Sequence, residues 1–232
     1  MSIKSLKEEV CQANLKLVEY GLVTLTWGNV SAIDRNESLV VIKPSGIDYK
    51  EMTPDDMVVT DMEGNQVDGK WKPSSDTPTH IELYKAFPHV GGISHSHSPH
   101  ATMFAQAEME IPCFGTTHAD HFFGNVPLTR LLSEKEVNEA YEKNTGIVII
   151  ERFANIDPSS IPGVLVASHA PFTWGKTAME SVKHSLILER IAEMAIGTLS
   201  LKPNCEQIKE YILNKHYLRK HGPNAYYGQK EK

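Results

Sequence analysis

The sequence predicts one α/β domain, with a mixed, largely antiparallel central sheet and helices on both faces. Three observations carry this. Strand-like and helix-like segments interleave from end to end of the 232 residues. The strands of the first third are short and separated by turn residues, which suits hairpins better than long crossovers. No repeat, low-complexity tract or linker divides the chain, so residues 1–232 read as a single domain.

The elements follow in order. Leu6, Val10, Ala13, Leu17 and Val18 recur at helical spacing, and Gly21 supplies a stop, so residues 3–20 read as an amphipathic helix. Residues 22–27 and 30–33 read as strands flanking Gly28-Asn29. Residues 39–42 and 57–60 are further strands, and Gly64-Asn65 closes a hairpin into Gln66-Val67. A short helix is expected over 78–87. The run Val90-Gly91-Gly92-Ile93-Ser94 then leads as a strand into His95-Ser96-His97. Pro99 to Ala107 reads as a helix, its proline tolerated in the first turn. Ser133 and Glu136 form a capping box for a helix reaching about Tyr141. Residues 146–151 and 163–166 read as strands. A long packed helix is expected over 178–199, with Val182, Leu186, Ile191 and Ala195 on its apolar positions. A last helix covers about 206–218, before Gly222-Pro223.

The bulk properties narrow the function. Apolar content of 41% and charged content of 22% describe an ordinary globular protein with a sizeable core. A formal charge of −6 argues against nucleic acid or an anionic membrane as the main partner. Cys11, Cys113 and Cys205 are widely spaced and form no CxxC, so neither a disulfide framework nor a cysteine-type zinc site is expected. No apolar signal core opens the chain and no run approaches the length of a spanning helix, so a cytoplasmic protein is expected.

Histidines carry the chemistry. On a strand, His95 and His97 would point to one face, where two imidazoles can bind one divalent cation. Alone, the pair reads equally as two partly buried structural histidines. Asp76, in a turn-rich segment entering a helix, and His169, at the polar end of an apolar run, shift the balance. Three imidazoles and one carboxylate with room for substrate oxygens is the pattern of a catalytic metal.

Several blocks then resemble a known family. They are Thr24-Leu25-Thr26-Trp27-Gly28-Asn29-Val30-Ser31, Ile42-Lys43-Pro44-Ser45-Gly46, Lys72 to His80, His95-Ser96-His97, Gly115 to Asp120, His216 to Gly222, and the tail Ala225-Tyr226-Tyr227-Gly228-Gln229. In this order they resemble the L-ribulose-5-phosphate 4-epimerase family of the class II aldolase/adducin-head superfamily. The resemblance implies an α/β/α sandwich and a cyclic homotetramer with active sites between subunits. It implies interconversion of L-ribulose 5-phosphate and D-xylulose 5-phosphate by retro-aldol cleavage of C3–C4, rotation of the aldehyde and re-addition.

The resemblance also assigns roles. Asp76, His95, His97 and His169 are the metal residues, with one divalent ion per subunit. Zinc suits these ligands, while manganese or cobalt could substitute. Gly28, Asn29, Lys43, Ser45, Gly46, Ser74 and Ser75 match phosphate-contacting positions. Gly28-Asn29 and Pro44-Ser45-Gly46 also read simply as turns, and a turn can present its N–H groups to phosphate. Asp120 and Tyr227, offered by a neighbouring subunit, are the acid and base, and a tail of about 216–232 that carries Tyr227 contributes to this inter-subunit site. His118 and His121 lie beside Asp120, and His216, Arg219 and Lys220 form a basic tail that reads equally as substrate attraction or as an exposed helical face. Two alternatives remain: a class II aldolase that releases its fragments, in which the residue at Asp76 is typically Glu, and a non-catalytic scaffold like the adducin head.

Overall fold

A computed structural model describes residues 2–227. Seven strands form one sheet in the order β4-β3-β2-β1-β5-β7-β6. They are β1 (Asn29–Asp34), β2 (Leu39–Ile42), β3 (Val58–Asp61), β4 (Gln66–Asp68), β5 (Gly92–His95), β6 (Gly163–Leu165) and β7 (Pro171–Gly175). Every pairing between these strands is antiparallel, and one isolated parallel bridge joins Leu128 to Leu165. The helices are α1 (Ile3–Glu19), α2 (Thr77–Ala86), α3 (Pro99–Gln106), α4 (Thr116–Ala119), α5 (Glu134–Arg152), α6 (Ala178–Leu201) and α7 (Glu210–His221).

Alternation along β1 assigns the faces. Val30 and Ala32 share a buried cluster with Leu6, Val10 and Leu17 of α1 and Val182 of α6. Ser31, on the opposite face, hydrogen-bonds His80 and Tyr84 of α2. On β5 and β7, Ser94 and Thr173 meet Ser185 of α6, whereas Ile93, Phe172 and Trp174 join the cluster containing α2 and α5. The sheet therefore lies between α1 with α6 and α2 with α5, the expected sandwich.

Two expected strands are something else. Residues 22–27 are irregular: Leu25 sits at φ 54°, and Trp27 N–H closes a turn onto Thr24 O. Residues 146–151, an apolar β-branched run, are the second half of α5. That helix breaks at Ala140 (φ −162°, ψ 69°) and resumes to pack on α2. Two elements escaped the sequence reading, the short α4 and strand β7. The last helix starts at Glu210, four residues later than expected.

Candidate metal and phosphate site

The site sits at one end of the sheet. His95 is the last residue of β5, paired through Cα with Asn29 at the start of β1 and Phe172 near the start of β7. His97 lies past the strand end rather than within it, in the three-residue link to α3. It therefore reaches its partner by a turn and not by strand alternation. His169 is carried on the turn between β6 and β7, where its N–H bonds Val166 O and Val166 N–H bonds Ala170 O. Asp76 is the N-terminal flanking residue of α2. Four elements thus deliver four side chains to one point.

The donors fit a divalent cation. The side-chain ligand atoms of His95, His97 and His169 all lie within 4.8 Å of one another. His95 Nδ1 is 3.0 Å from Pro171 O, and a carbonyl only accepts, so Nδ1 carries the proton and Nε2 is left bare for a metal. Phe172 stacks on the His95 ring at 4.1 Å and fixes its plane. Burial lowers the pKa of His97 to about 4 and of His169 to about 3, with the neighbouring imidazoles adding to the effect. Both rings are therefore neutral, the form that binds metal. Asp76 falls outside that compact group. Its Oδ2 lies 4.0 Å from His95 Nε2 and accepts a 2.6 Å hydrogen bond from Asn29 Nδ2. Burial opposes its charge, but the histidines and Asn29 hold its carboxyl below the ordinary value.

The anion-ready side is built by one pairing. Ser45 N–H bonds Lys72 O, Ser74 N–H bonds Lys43 O, and Pro44 bridges Pro73. This clamps the chain leaving β2 against the chain entering α2. Lys43 is buried, with its ammonium over the Tyr49 ring at 4.7 Å and, among the described residues, only Pro44 O as a hydrogen-bond acceptor. Burial lowers its pKa to about 8. Gly28 must be glycine: its φ is +78°, and a Cβ there would lie 2.7 Å from His95 O.

These two sides face one cavity of about 550 Å³. Gly28, Asn29, Lys43, Ser45, Gly46, Ser74 and Ser75 line it together with Asp76, His95, His97 and His169. All eleven expected metal and phosphate residues thus meet.

Asp120 and Tyr227 do not line that cavity. They meet each other's partners instead. The Asp120 carboxylate accepts from Arg219 at 2.8 Å, from His216 at 3.0 Å and from Lys220 at 3.3 Å. Arg219 and Lys220 also lie over the exposed Tyr227 ring, at 4.8 and 4.4 Å. Burial works against the charge on Asp120, but Arg219, His216 and Lys220 keep its carboxyl below the usual value. Gly228-Gln229 of the tail motif lies outside the described residues.

Two aromatic residues at the histidines went unpredicted. Trp27 tilts toward His97 at 6.2 Å, and Tyr141 toward His169 at 6.0 Å. Trp27 stands within a quoted block beside Gly28. Nothing in the local sequence marks Tyr141, which follows the break in α5.

An antiparallel sheet whose end carries three converging imidazoles that could hold a metal ion, opposite a set of turns and one buried lysine, sets the class of this α/β protein. Comparison with known proteins gives the class its name. The profile of the "Class II Aldolase and Adducin N-terminal domain" matches residues 8–196, and the chain belongs to that family. Among solved structures it is similar to an L-fuculose 1-phosphate aldolase, at 24% identity and TM-score 0.77, over 91% of this chain and 94% of the other. It is similar to YgbL of Klebsiella pneumoniae, a putative aldolase/epimerase/decarboxylase, at 22% identity and TM-score 0.74, over 93% and 99%. A third likeness is L-fuculose 1-phosphate aldolase of Glaciozyma antarctica PI12, at 18% identity and TM-score 0.75, over 92% and 80%. At these identities the likenesses establish the fold. Among the described residues no helix is long and apolar enough to cross a membrane.

Proposed function

We propose that this protein is a metal-dependent L-ribulose-5-phosphate 4-epimerase of the cytoplasm, acting as a homotetramer. One observation supports the reading above others: seven cradle residues and four candidate metal residues, drawn from separate parts of the chain, line one cavity of suitable size for a pentose phosphate.

His95, His97 and His169, with Asp76 beside them, would hold a divalent ion, most simply Zn2+, with Mn2+ or Co2+ as substitutes. Such an ion supplies Lewis acidity that offsets the negative charge developing on an enediolate. The protein's own groups do the rest. Lys43, the hydroxyls of Ser45, Ser74 and Ser75, and the backbone at Gly28 and Gly46 bind the phosphate and anchor one end of the ketopentose. Asp120 and Tyr227 from an adjacent subunit exchange a proton with the C4 oxygen on opposite faces of the rotating aldehyde. Their shared contacts with Arg219 and Lys220 would bring both to the site as one unit.

The second reading, an aldolase that releases its fragments, is favoured by one observation: two of the solved structures to which the chain is similar are L-fuculose 1-phosphate aldolases. One assay separates the two. Metal-loaded protein is incubated with L-ribulose 5-phosphate, and D-xylulose 5-phosphate is followed together with free aldehyde. Epimer without aldehyde is expected. Accumulating aldehyde would replace the epimerase reading with the aldolase, and neither product would remove both.

A further inference from the structure

Behind the histidines lies a buried polar chain that the proposed reaction leaves without a role. His80, fully buried, stands one helical turn after Asp76 on α2, its N–H bonded to Asp76 O. Its Nδ1 is 2.7 Å from Ser31 Oγ, which is 2.8 Å from the Tyr84 hydroxyl. Among the described residues the other ring nitrogen, Nε2, has no partner, and neither has the buried Oδ1 of Asn29. Asn29 and Ser31 alternate onto one face of β1, so both orphans flank the segment carrying Asp76.

Proton counting assigns the tautomer. Each hydroxyl has one proton to give. If Tyr84 donates to Ser31 and Ser31 donates to His80 Nδ1, both hydroxyl protons are used and Nε2 carries the ring proton. The reverse direction leaves the Tyr84 proton without an acceptor, because its other close polar neighbour, the Ile93 N–H, can only donate, and it puts a bare lone pair in the field of the Asp76 charge. The first arrangement instead leaves one ring donor in the field of that carboxylate. A buried donor without an acceptor forfeits its hydrogen bond to water, so a partner is called for.

We propose that His80 is a positioning residue for the site: its Nε2–H, across one water, holds the Asp76 carboxylate turned toward the three imidazoles. Burial lowers the His80 pKa to about 3, so the ring is a neutral donor, not a competing cation. The same ring packs edge-on against Phe172 at 6.0 Å, and Phe172 stacks on His95. His80 thereby touches the supports of two candidate metal residues. This rests on the metal reading of the histidines, and not on the epimerase reaction.

The test uses Co2+ titrated into metal-free wild type, His80→Phe and His80→Gln, followed by visible absorption, with the melting temperature of each metal-free protein recorded. His80→Phe should bind Co2+ about 10- to 100-fold more weakly, as is usual when an outer partner of a ligand is removed, with a shifted absorption band. His80→Gln, whose amide nitrogen can stand in for Nε2, should recover most of the affinity. Unchanged affinity and band in folded His80→Phe would overturn the proposal, as would His80→Gln binding no better than His80→Phe. The wild type supplies a check that needs no variant. Nitrogen-15 spectra should show His80 as the neutral Nε2–H tautomer from pH 8 to 5, and an Nδ1–H ring would overturn the proposal. A wild type that binds no Co2+ overturns both this and the metal reading. Co2+ effects as expected, in a protein inactive on L-ribulose 5-phosphate, support the positioning role and remove only the reaction.

Discussion

Lys43 shows how burial retunes an ordinary lysine, which in the proposed phosphate cradle would make it a pH-sensitive anion receptor. Its ammonium is stripped of water and has only one carbonyl to bond, so its pKa falls to about 8. Below that value the free protein holds a charge with too few partners, and a phosphate relieves it. Above it, the anion must bring a proton with it. Affinity for inorganic phosphate should therefore be highest near pH 7 and fall as pH rises through 8, by about tenfold per pH unit at the steepest for one linked proton. Calorimetric titration from pH 7 to 9.5 measures this. Lys43→Met should bind weakly at every pH and lose the slope, and a wild-type profile without a slope would take Lys43 out of the cradle. The same residue also marks a limit of sequence reading. A lysine after a strand looks exposed in the sequence, and only the Lys43–Ser74 and Ser45–Lys72 pairing shows that it is enclosed.

Helix α5 is where local preference and tertiary packing disagree. Gly146-Ile147-Val148-Ile149-Ile150 has the composition of a strand, yet it is helical. The reason lies across the interface with α2, the most densely packed helix pair in the molecule. Val148 and Ile149 are buried there, and Gly146 permits the close approach: a Cβ at 146 would stand 2.9 Å from Glu82 Cβ and 3.2 Å from Thr79 O. In an exposed helix, Gly→Ala would stabilise by about 1 kcal/mol. Here Gly146→Ala should destabilise instead, by about 1–3 kcal/mol from overpacking, read as a lower urea midpoint. A higher midpoint would mean that the two helices are free to move apart. Because α2 also carries Asp76 and His80, a shift of this interface should reach the site as weakened Co2+ binding.

The whole molecule carries a store of buried neutral imidazole. Burial holds His80 and His169 at about 3, and His97, His118 and His121 at about 4, against 6.5 for a free ring. The folded state therefore refuses protons that the unfolded state accepts below pH 6.5. Stability of the metal-free protein should be full above that pH and be lost as pH falls from 6.5 toward 4. Urea midpoints at pH 7, 6 and 5 should decline in that order, and constant midpoints would contradict the burial of these rings. The assembly gives a second expectation. Asp120→Asn and Tyr227→Phe change little volume but remove proton transfer, and each should lower kcat by about 10²-fold or more with Co2+ affinity unchanged. If the tail of one subunit completes the cavity of the next, mixed oligomers of Tyr227→Phe and His97→Asn chains should regain activity that neither parent has. No recovery in demonstrably mixed oligomers would place the acid and base elsewhere.

That the candidate metal and phosphate residues would share one cavity was legible because they sit in compact blocks whose residue types suit one chemistry together. Gly28-Asn29, Ser74-Ser75-Asp76 and His95-Ser96-His97 each pair a backbone turn with donors, and that pairing is written locally. The antiparallel character was legible for the same reason, since hairpin turns lie next to the strands they join. Other features depended on contacts between distant segments. Residues 146–151 took the helical form because α2 offers a groove for their branched side chains. His97 left the strand because β5 ends at His95, where β1 and β7 end their pairing with it. Asp120 met Arg219, 99 residues later, through an ion pair that no spacing rule encodes. His80 looked like one more residue of a helix until the sheet enclosed it. Local sequence sets which donors are present and which turns carry them. Tertiary burial sets which are neutral, which are charged and which lack a partner, because the cost of leaving water depends on what the rest of the chain places around each group.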